Sequence, residues 1–185
     1  MEMGTNLGFE SHVHANMERG REIGTSFKPK GKFRLEHWRD DVLIGIHEFK
    51  NGVTDVGINN LLDIEFFTTA KISTWYLGVI DNSGFTALAA ADTMASHAGW
   101  TEFQTYNEAN RVTWVTGAAS SKSITNATPA SFNITGTATL NGIFAVSENT
   151  KGGTTGILWA TGSFVTPIPV VNGDILKITY TVTGA

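Results

Sequence analysis

Four acidic residues have the type and spacing that could support catalysis: Asp81, Asp92, Glu102 and Glu108. Two carboxyl groups on either side of a cleft can hydrolyse a glycosidic bond, one as general acid and the other as nucleophile or base. Each position also has a structural interpretation, because Asp81 and Asp92 suit turn caps and Glu102 and Glu108 suit solvated strand positions. The sequence does not set the separation of these carboxyl groups, and we favour the structural interpretation.

His12 and His14 form an H-x-H pair that could bind a divalent cation. In an extended segment the two imidazoles lie on the same side of the chain, and imidazole is a good ligand for transition metals. Further ligands close in sequence are limited to Glu10 and Glu18. We therefore predict no metal site and no other cofactor. The remaining histidines are predicted to be structural residues: His37, His47 and His97.

No segment of the sequence carries a recognised catalytic or nucleotide-binding motif. The G-x-S-x-G pattern of serine hydrolases is absent. The run KGGTTG at residues 151–156 lacks the Gly-Lys-Ser/Thr ending of a phosphate-binding loop and precedes a predicted strand, so we predict a hairpin loop. The sequence contains no cysteine, which excludes thiolate catalysis and fits assembly in a reducing cytoplasm. We predict that the protein is not an enzyme.

The tryptophans are the second group of candidate functional residues. Trp75, Trp100, Trp114 and Trp159 could form a platform on which sugar rings stack. In a β-sandwich, large aromatic side chains more often anchor a core or an interface, because they bury much area at a small entropic cost. We favour core or interface anchors over a carbohydrate site.

Composition limits the classes of partner. Charged residues make up 16% of the chain, well below the ~25% of an average soluble domain. Such a surface suits a protein that neighbours cover in an assembly. A net charge of −4 argues against nucleic-acid binding, which uses a basic surface. No window approaches the ~20 apolar residues of a membrane span, and residues 1–21 lack the apolar centre of a signal peptide.

The elements that must position these residues are mainly strands. Residues 32–38 and 42–49 predict a hairpin that turns at Asp40-Asp41, and Asn51-Gly52 predicts a second turn. Residues 56–66 predict the one substantial helix. Further short strands are predicted at residues 75–80, 100–106, 112–115, 130–134, 138–146, 156–164 and 175–182. Turns are predicted between them at residues 82–84, 126–129, 141–142, 151–153 and 172–174, and Asp92-Thr93 predicts one helical turn.

Short strands at this spacing predict a mainly β protein, an antiparallel and jelly-roll-like β-sandwich with one short helix. Pro167 and Pro169 are expected at a sheet edge or in a connection. Within residues 175–182, the alternation predicts that Leu176, Ile178, Tyr180 and Val182 face the core.

The N-terminal residues 1–31 are predicted to form an extended arm, and residues 32–185 the sandwich body. A disordered tail is the simpler interpretation of the arm. However, the arm carries apolar side chains that a purely solvated tail would lack, and we predict that they order on a partner. These residues are Leu7, Phe9, Val13, Met17, Ile23 and Phe27.

Several sequence blocks resemble a family of small virion proteins of tailed bacteriophages. The longest is TWYLGVIDNSGFTALAAADTMASHAGWTEF at residues 74–103. YNEANRVTW, SITNAT, NGIFAVSENTKGGTTGILWATGSF and VVNGDILKITYTV follow in order, and the hairpin and helix at residues 32–62 suit the same family. The resemblance implies a non-enzymatic virion component that is assembled in the host cytoplasm.

Within that family we expect a capsid decoration or cement protein, whose arm lies across neighbouring subunits. Its expected partners are the major capsid protein and further copies of itself, as a dimer or trimer, without nucleic acid or membrane. A tail or head–tail connector component is the alternative in the same class. A carbohydrate-binding attachment module is the alternative from a different class.

Overall fold

The computed structural model of the protein describes residues 29–184. This part of the chain is mainly antiparallel β structure with one α-helix, as the sequence predicts. In chain order the elements are β1 (Pro29–Arg39), β2 (Val42–Val53), α1 (Asp55–Phe66), β3 (Tyr76–Asp81), β4 (Thr101–Phe103), β5 (Val112–Thr113), β6 (Ser123–Thr125), β7 (Ala130–Asn133), β8 (Ala138–Val146), β9 (Leu158–Val170) and β10 (Ile175–Gly184).

The strands form one curled antiparallel sheet with the order β4-β3-β8-β9-β2-β1-β10-β6. In addition, β5 pairs with β3, and β7 pairs with β10. Strands β4, β3, β8 and β9 form one half of the sheet, and strands β2, β1, β10 and β6 form the other half. The two halves are joined where Gly52 and Val53 of β2 pair with Thr161 and Ala160 of β9. One apolar core draws buried side chains from both halves, which makes the fold sandwich-like. This confirms the predicted fold class, whereas the jelly-roll winding stays a prediction.

The main core depends on the alternation of side chains along β1 and β10. Leu176, Ile178 and Tyr180 are fully buried as predicted, and the intervening residues are partly exposed. Tyr180 stacks on Phe33 of β1 with their ring centroids 4.2 Å apart. Because neighbouring side chains on a strand point to opposite faces, a shift of one residue in this pairing would expose the whole apolar set.

A smaller second core covers the other face of β3 and β8. Ile80, Phe144 and Val146 pack there against Met94 and Trp100 from the long connection between β3 and β4. As a result, the strand β8 is buried on both faces from Leu140 to Val146. Sequence alternation cannot reveal this, because a strand covered on both sides has no polar face.

The helix α1 is fixed at its first turn. The hydroxyl of Thr54 accepts a hydrogen bond from the N–H of Gly57 at 3.1 Å and so caps the helix. A side chain on Gly57 would lie 2.7 Å from the carbonyl oxygen of Trp159, so the helix can approach β9 only with glycine here. Gly57 is the one fully buried residue of α1.

Several predicted boundaries are wrong, whereas the predicted turns at residues 40–41, 82–84, 151–153 and 172–174 are confirmed. Asp40 and Asp41 form the turn between β1 and β2, with φ values of 47° and 60°. Asn51-Gly52 and Asn141-Gly142 are not turns but lie inside β2 and β8: Asn51, Gly52 and Gly142 have cross-strand partners, and Asn141 is the extra residue of a bulge in β8. Residues 92–97 form bridged turns rather than a helical turn.

The structure also changes two element assignments. Strand β6 was not among the predicted strands, since its three residues are too few to give a periodic signal. The predicted arm boundary at residue 31 falls inside β1, where Pro29, Lys30 and Gly31 pair with β10.

Candidate functional site

A buried aspartate links the two ends of the described chain. Asp174 is fully buried in the turn before β10, and it accepts hydrogen bonds from two side chains of β1. The Nε2 of His37 donates to its Oδ2 at 2.7 Å. The guanidinium of Arg39 forms a bidentate pair with it at 2.7 and 2.8 Å. Both carboxylate oxygens are therefore occupied by groups of the same chain.

The surroundings of Asp174 favour its charged form. Burial by itself raises the pKa of Asp174, but hydrogen bonds from Arg39, from the N–H of Val171 and from His37 outweigh burial. The pKa of Asp174 is consequently held well below the ordinary aspartate value. The charged carboxylate of Asp174 therefore holds the turn before β10 against β1 through its hydrogen bonds to His37 and Arg39. This gives the pair of His37 and Asp174 a structural function.

His37 also borders a cleft between β2 and β9, the main concave surface near this cluster. The two strands separate after their short pairing at Gly52 and Val53, and the space between them has a volume of about 250 Å³. The pKa of His47 in this cleft is lowered, mainly by burial and then by the charge of His37. The residues that line the cleft are His37, Arg39, Ile44, Gly45, His47, Thr166, Pro167, Ile168 and Pro169.

A second buried ion pair joins strand β4, the connection between β4 and β5, and the loop between β8 and β9. The guanidinium of Arg111 donates to both carboxylate oxygens of Glu102, at 3.0 and 2.8 Å, and both side chains are almost fully buried. Arg111 also donates to the carbonyl oxygens of Glu148 and Gly153, and the N–H of Gly152 donates to Glu102. The prediction that Glu102 is a solvated strand residue is wrong, because Arg111 compensates its charge inside the protein.

The other candidate acids serve turns and loops. This agrees with the interpretation of Asp81 and Asp92 as turn caps, whereas the strand position predicted for Glu108 is wrong, because Glu108 lies in the connection between β4 and β5. Asp81 accepts a hydrogen bond from the N–H of Ser83 at 2.7 Å. Asp92 accepts from the N–H of Ala89 and from the indole N–H of Trp100. Glu108 accepts from the backbone and side chain of Asn133. Each of these carboxylates is thus hydrogen-bonded to groups of its own fold.

The four tryptophans that the sequence analysis singled out lie in or against the two cores. Trp100 and Trp114 are buried, with 1% and 8% of their surface exposed, and Trp75 and Trp159 pack partly exposed against the main core. The indole N–H of Trp114 donates to Asn126 at 2.7 Å, and that of Trp159 donates to the hydroxyl of Tyr180 at 2.9 Å. Buried rings cannot offer a stacking face to a sugar, which leaves Trp75 and Trp159 as the partly accessible ones.

Exposed apolar side chains lie at two places where the sequence analysis did not predict a site. The first, here called the α1 patch, consists of Leu62, Phe66 and Phe67, with exposures of 41%, 80% and 73%. The second, here called the β2 edge, consists of Val42, Leu43, Ile44 and Ile46, each 40–60% exposed. The unbroken apolar run of residues 42–44 and the adjacent phenylalanines at 66–67 are the sequence signals that could have indicated both surfaces.

The arm residues predicted to bind a partner lie outside the described residues, as do His12 and His14. They are Leu7, Phe9, Val13, Met17, Ile23 and Phe27. Within residues 29–184, no group of three or more histidine, aspartate or glutamate side chains is arranged to hold a metal ion. The helix in this range is too short to cross a membrane.

The chain matches no protein-family model, and none of the curated proteins is detectably similar to it in sequence. The resemblance to virion proteins of tailed bacteriophages therefore stays a prediction that rests on the sequence blocks themselves.

Proposed function

We propose that this protein is a non-enzymatic structural subunit of a bacteriophage virion, with capsid decoration as its leading role. The observation that carries the structural part of the proposal is the α1 patch. Phe66 and Phe67 hold two large aromatic rings in solvent at the end of a helix, where no described residue covers them. A contiguous exposed apolar surface of this kind is typical of a site for another protein.

The attachment of α1 to the body supports this interpretation. Apart from the fully buried Gly57, the apolar residues of the helix are half-buried or exposed. Ile58, Leu61 and Ile64 therefore retain apolar surface that a partner could cover. Burying an aromatic side chain fully contributes about 2 kcal/mol, so the two phenylalanines could supply a large part of the affinity for a neighbouring subunit.

The main polar clusters of the body also support a structural role. Asp174 and Glu102 are each enclosed by their own cationic partners, and their hydrogen bonds fasten loops to strands. These contacts stiffen the ends of the sandwich. The sequence blocks of residues 74–182 that resemble tailed-phage virion proteins support the placement in a virion, with the major capsid protein and further copies of this chain as partners.

The experiment that tests the proposal measures the copy number of the protein in purified particles by quantitative mass spectrometry. A decoration protein is expected in a fixed, high proportion to the major capsid protein. The variant with Phe66→Ser and Phe67→Ser is expected to fold normally but to be retained at least tenfold less. Val115→Ser, which removes an apolar side chain that is 50% exposed elsewhere, is the matched control.

The outcomes separate the alternatives. A few copies per particle would favour a tail or head–tail connector component, and absence from particles would overturn the virion proposal. Normal retention of the doubly substituted variant would overturn the assigned contact surface. The carbohydrate-binding alternative depends on Trp75 and Trp159, whose rings remain partly accessible, and it predicts binding of the isolated protein to host surface glycans.

A further inference from the structure

The strand β2 has a free edge along most of its length. It pairs with β1 from Val42 to Asn51, but within residues 29–184 it pairs on its other side only through Gly52 and Val53. The backbone groups of residues 42–50 on that side therefore have no strand partner in the described structure. A free edge of this length is a template for the addition of another strand.

The edge has a bulge at Ile44, opposite His37 and Trp38, and it carries charges at Glu48 and Lys50, but residues 42–46 have neither a charge nor a proline. Natural edge strands are commonly blunted by prolines or by inward-pointing charges, whereas residues 42–46 read VLIGI. Val42, Ile44 and Ile46 are 60%, 49% and 49% exposed. The opposite wall of the cleft differs, because β9 carries Pro167 and Pro169, which have no N–H to donate. An added strand can therefore bond to β2 but only poorly to β9.

The cleft offers an apolar lining to a few inward side chains of a strand that pairs along residues 42–50. Its volume of about 250 Å³ lies between the two separating strands, and Ile44, Gly45 and Ile168 give it an apolar wall. The side chain of Val165 is 96% exposed on β9, beside this cleft. Because β9 forms the opposite wall of the cleft, a single strand can lie beside β2, whereas the folded body of another copy would collide with β9.

A segment of matching pattern lies in the sequence before β1. Residues 7–18, LGFESHVHANME, alternate between a mainly apolar set, interrupted at Ser11, and a set of polar residues or glycine. Odd positions carry Leu7, Phe9, Ser11, Val13, Ala15 and Met17. Even positions carry Gly8, Glu10, His12, His14, Asn16 and Glu18. This period of two is the pattern of a strand with one buried face.

We propose that the segment of residues 7–18 of a neighbouring copy adds a strand antiparallel to β2, in which about nine of its residues pair with the free positions 42–50. The odd side chains enter the cleft, and the even side chains lie on the outer face with Ile46, Glu48 and Lys50. Main-chain hydrogen bonds supply affinity, and the alternating side chains supply specificity, as in other cases of strand addition. The added strand covers the apolar β2 edge and joins copies of the chain into an assembly.

The length of the chain favours a neighbouring copy over the same chain. Antiparallel addition to β2 places residue 18 near Val42, at the far end of the 11-residue strand β1 from Pro29. That end is about 35 Å from Pro29 at ~3.3 Å per strand residue. Residues 19–28 span at most about 36 Å when fully extended. A segment of the same chain would need a fully stretched connection across the hairpin, whereas a segment of a second copy has no such constraint.

Cysteine cross-linking of the full chain tests the proposal, and the absence of native cysteine makes every engineered pair unambiguous. One chain carries Ile46→Cys, and a second carries a single cysteine at residue 10, 11, 12, 13, 14, 15 or 16. Mixed chains are oxidised and analysed on non-reducing gels. We expect cross-linked heterodimers with cysteine at one or two even positions, at least tenfold above the neighbouring odd positions, because even side chains share the face of Ile46.

Two results with the mixed chains would overturn the proposal: no cross-link at any position, or equal yields at even and odd positions. A single chain that carries both cysteines gives a third test, and cross-links that form only within that chain would also overturn the proposal. Sedimentation velocity gives an independent readout. Phe9→Ser combined with Val13→Ser is expected to shift the full chain to monomer, and the matched control, His12→Ser with His14→Ser, is expected to leave association unchanged. A strictly monomeric wild-type chain would also refute it. The test uses isolated protein, so its outcome is independent of a virion role.

Discussion

Replacement of Arg111 by methionine gives the sharpest test of how the loops of this protein are held. Methionine fills much of the same space but leaves the carboxylate of Glu102 buried with only the N–H of Gly152 as a partner. It also removes the donor from the carbonyl oxygens of Glu148 and Gly153. Removing one member of a buried ion pair costs about 3–5 kcal/mol.

We therefore expect Arg111→Met to lower the free energy of unfolding by about 4 kcal/mol. For a domain of this size, that loss corresponds to a fall in Tm of about 8–16 °C. Urea denaturation followed by tryptophan fluorescence measures the change, since buried Trp100 and Trp114 report on both cores. The slope of the unfolding free energy against urea concentration should stay constant, which would show that the stability has changed and not the surface area exposed on unfolding.

Two further variants test the reasoning. Lys32→Met breaks the exposed ion pair with Glu48, where the side chains are 54% and 44% exposed, and should reduce stability far less than Arg111→Met, because solvent screens exposed charges. The double variant Glu102→Met with Arg111→Met should be more stable than Arg111→Met alone, because no uncompensated charge stays buried. A cost for Arg111→Met no larger than that of Lys32→Met would refute the argument that burial makes this pair important.

Three other predictions follow from the described contacts. Asp174→Asn should reduce stability at neutral pH and make stability depend less on pH in acid. The pKa of Asp174 in the folded protein lies below the ordinary value of 3.8, so its contribution to wild-type stability is present above pH 3.8 and is lost as the pH falls below this value. Urea titrations from pH 7 to 2 measure the difference. Gly78→Ala should cost about 1–3 kcal/mol, because a Cβ would lie 2.2 Å from the buried ring of Phe144, and a thermal melt unchanged from wild type would contradict this. Trp100→Ala should cost about 3–5 kcal/mol through loss of core packing, measured by urea denaturation, and full stability with altered ligand binding would instead place Trp100 in a binding site.

The strands were largely predictable wherever one face meets solvent. Residues 175–182 alternate, and the structure buries Leu176, Ile178 and Tyr180 as expected. The hairpin turn at Asp40-Asp41 was also predictable, since short polar residues tolerate the positive φ values that such a turn requires. Pro167 and Pro169 lie in the part of β9 that has no partner toward β2, in agreement with the expected edge position.

The candidate site was predicted less well, because its contacts join residues far apart in the sequence. His37 and Asp174 are separated by 137 positions and still share a hydrogen bond. Glu102 reads as a solvated residue until Arg111 is placed beside it. The adjacent phenylalanines of the α1 patch are visible in the sequence as an apolar pair, but hydrophobicity alone does not show whether the fold buries or exposes them.

The sequence by itself determined the class of this protein: antiparallel strands, one short helix and the turn of the first hairpin at Asp40-Asp41. These features depend on local alternation and backbone preference, which neighbouring residues express without the rest of the chain. Only the tertiary structure decided that Asn51-Gly52 and Asn141-Gly142 continue strands, that Glu102 is buried, and that β2 keeps a free edge. The reason is physical: burial, charge compensation and strand pairing depend on partners that folding brings together from distant parts of the chain.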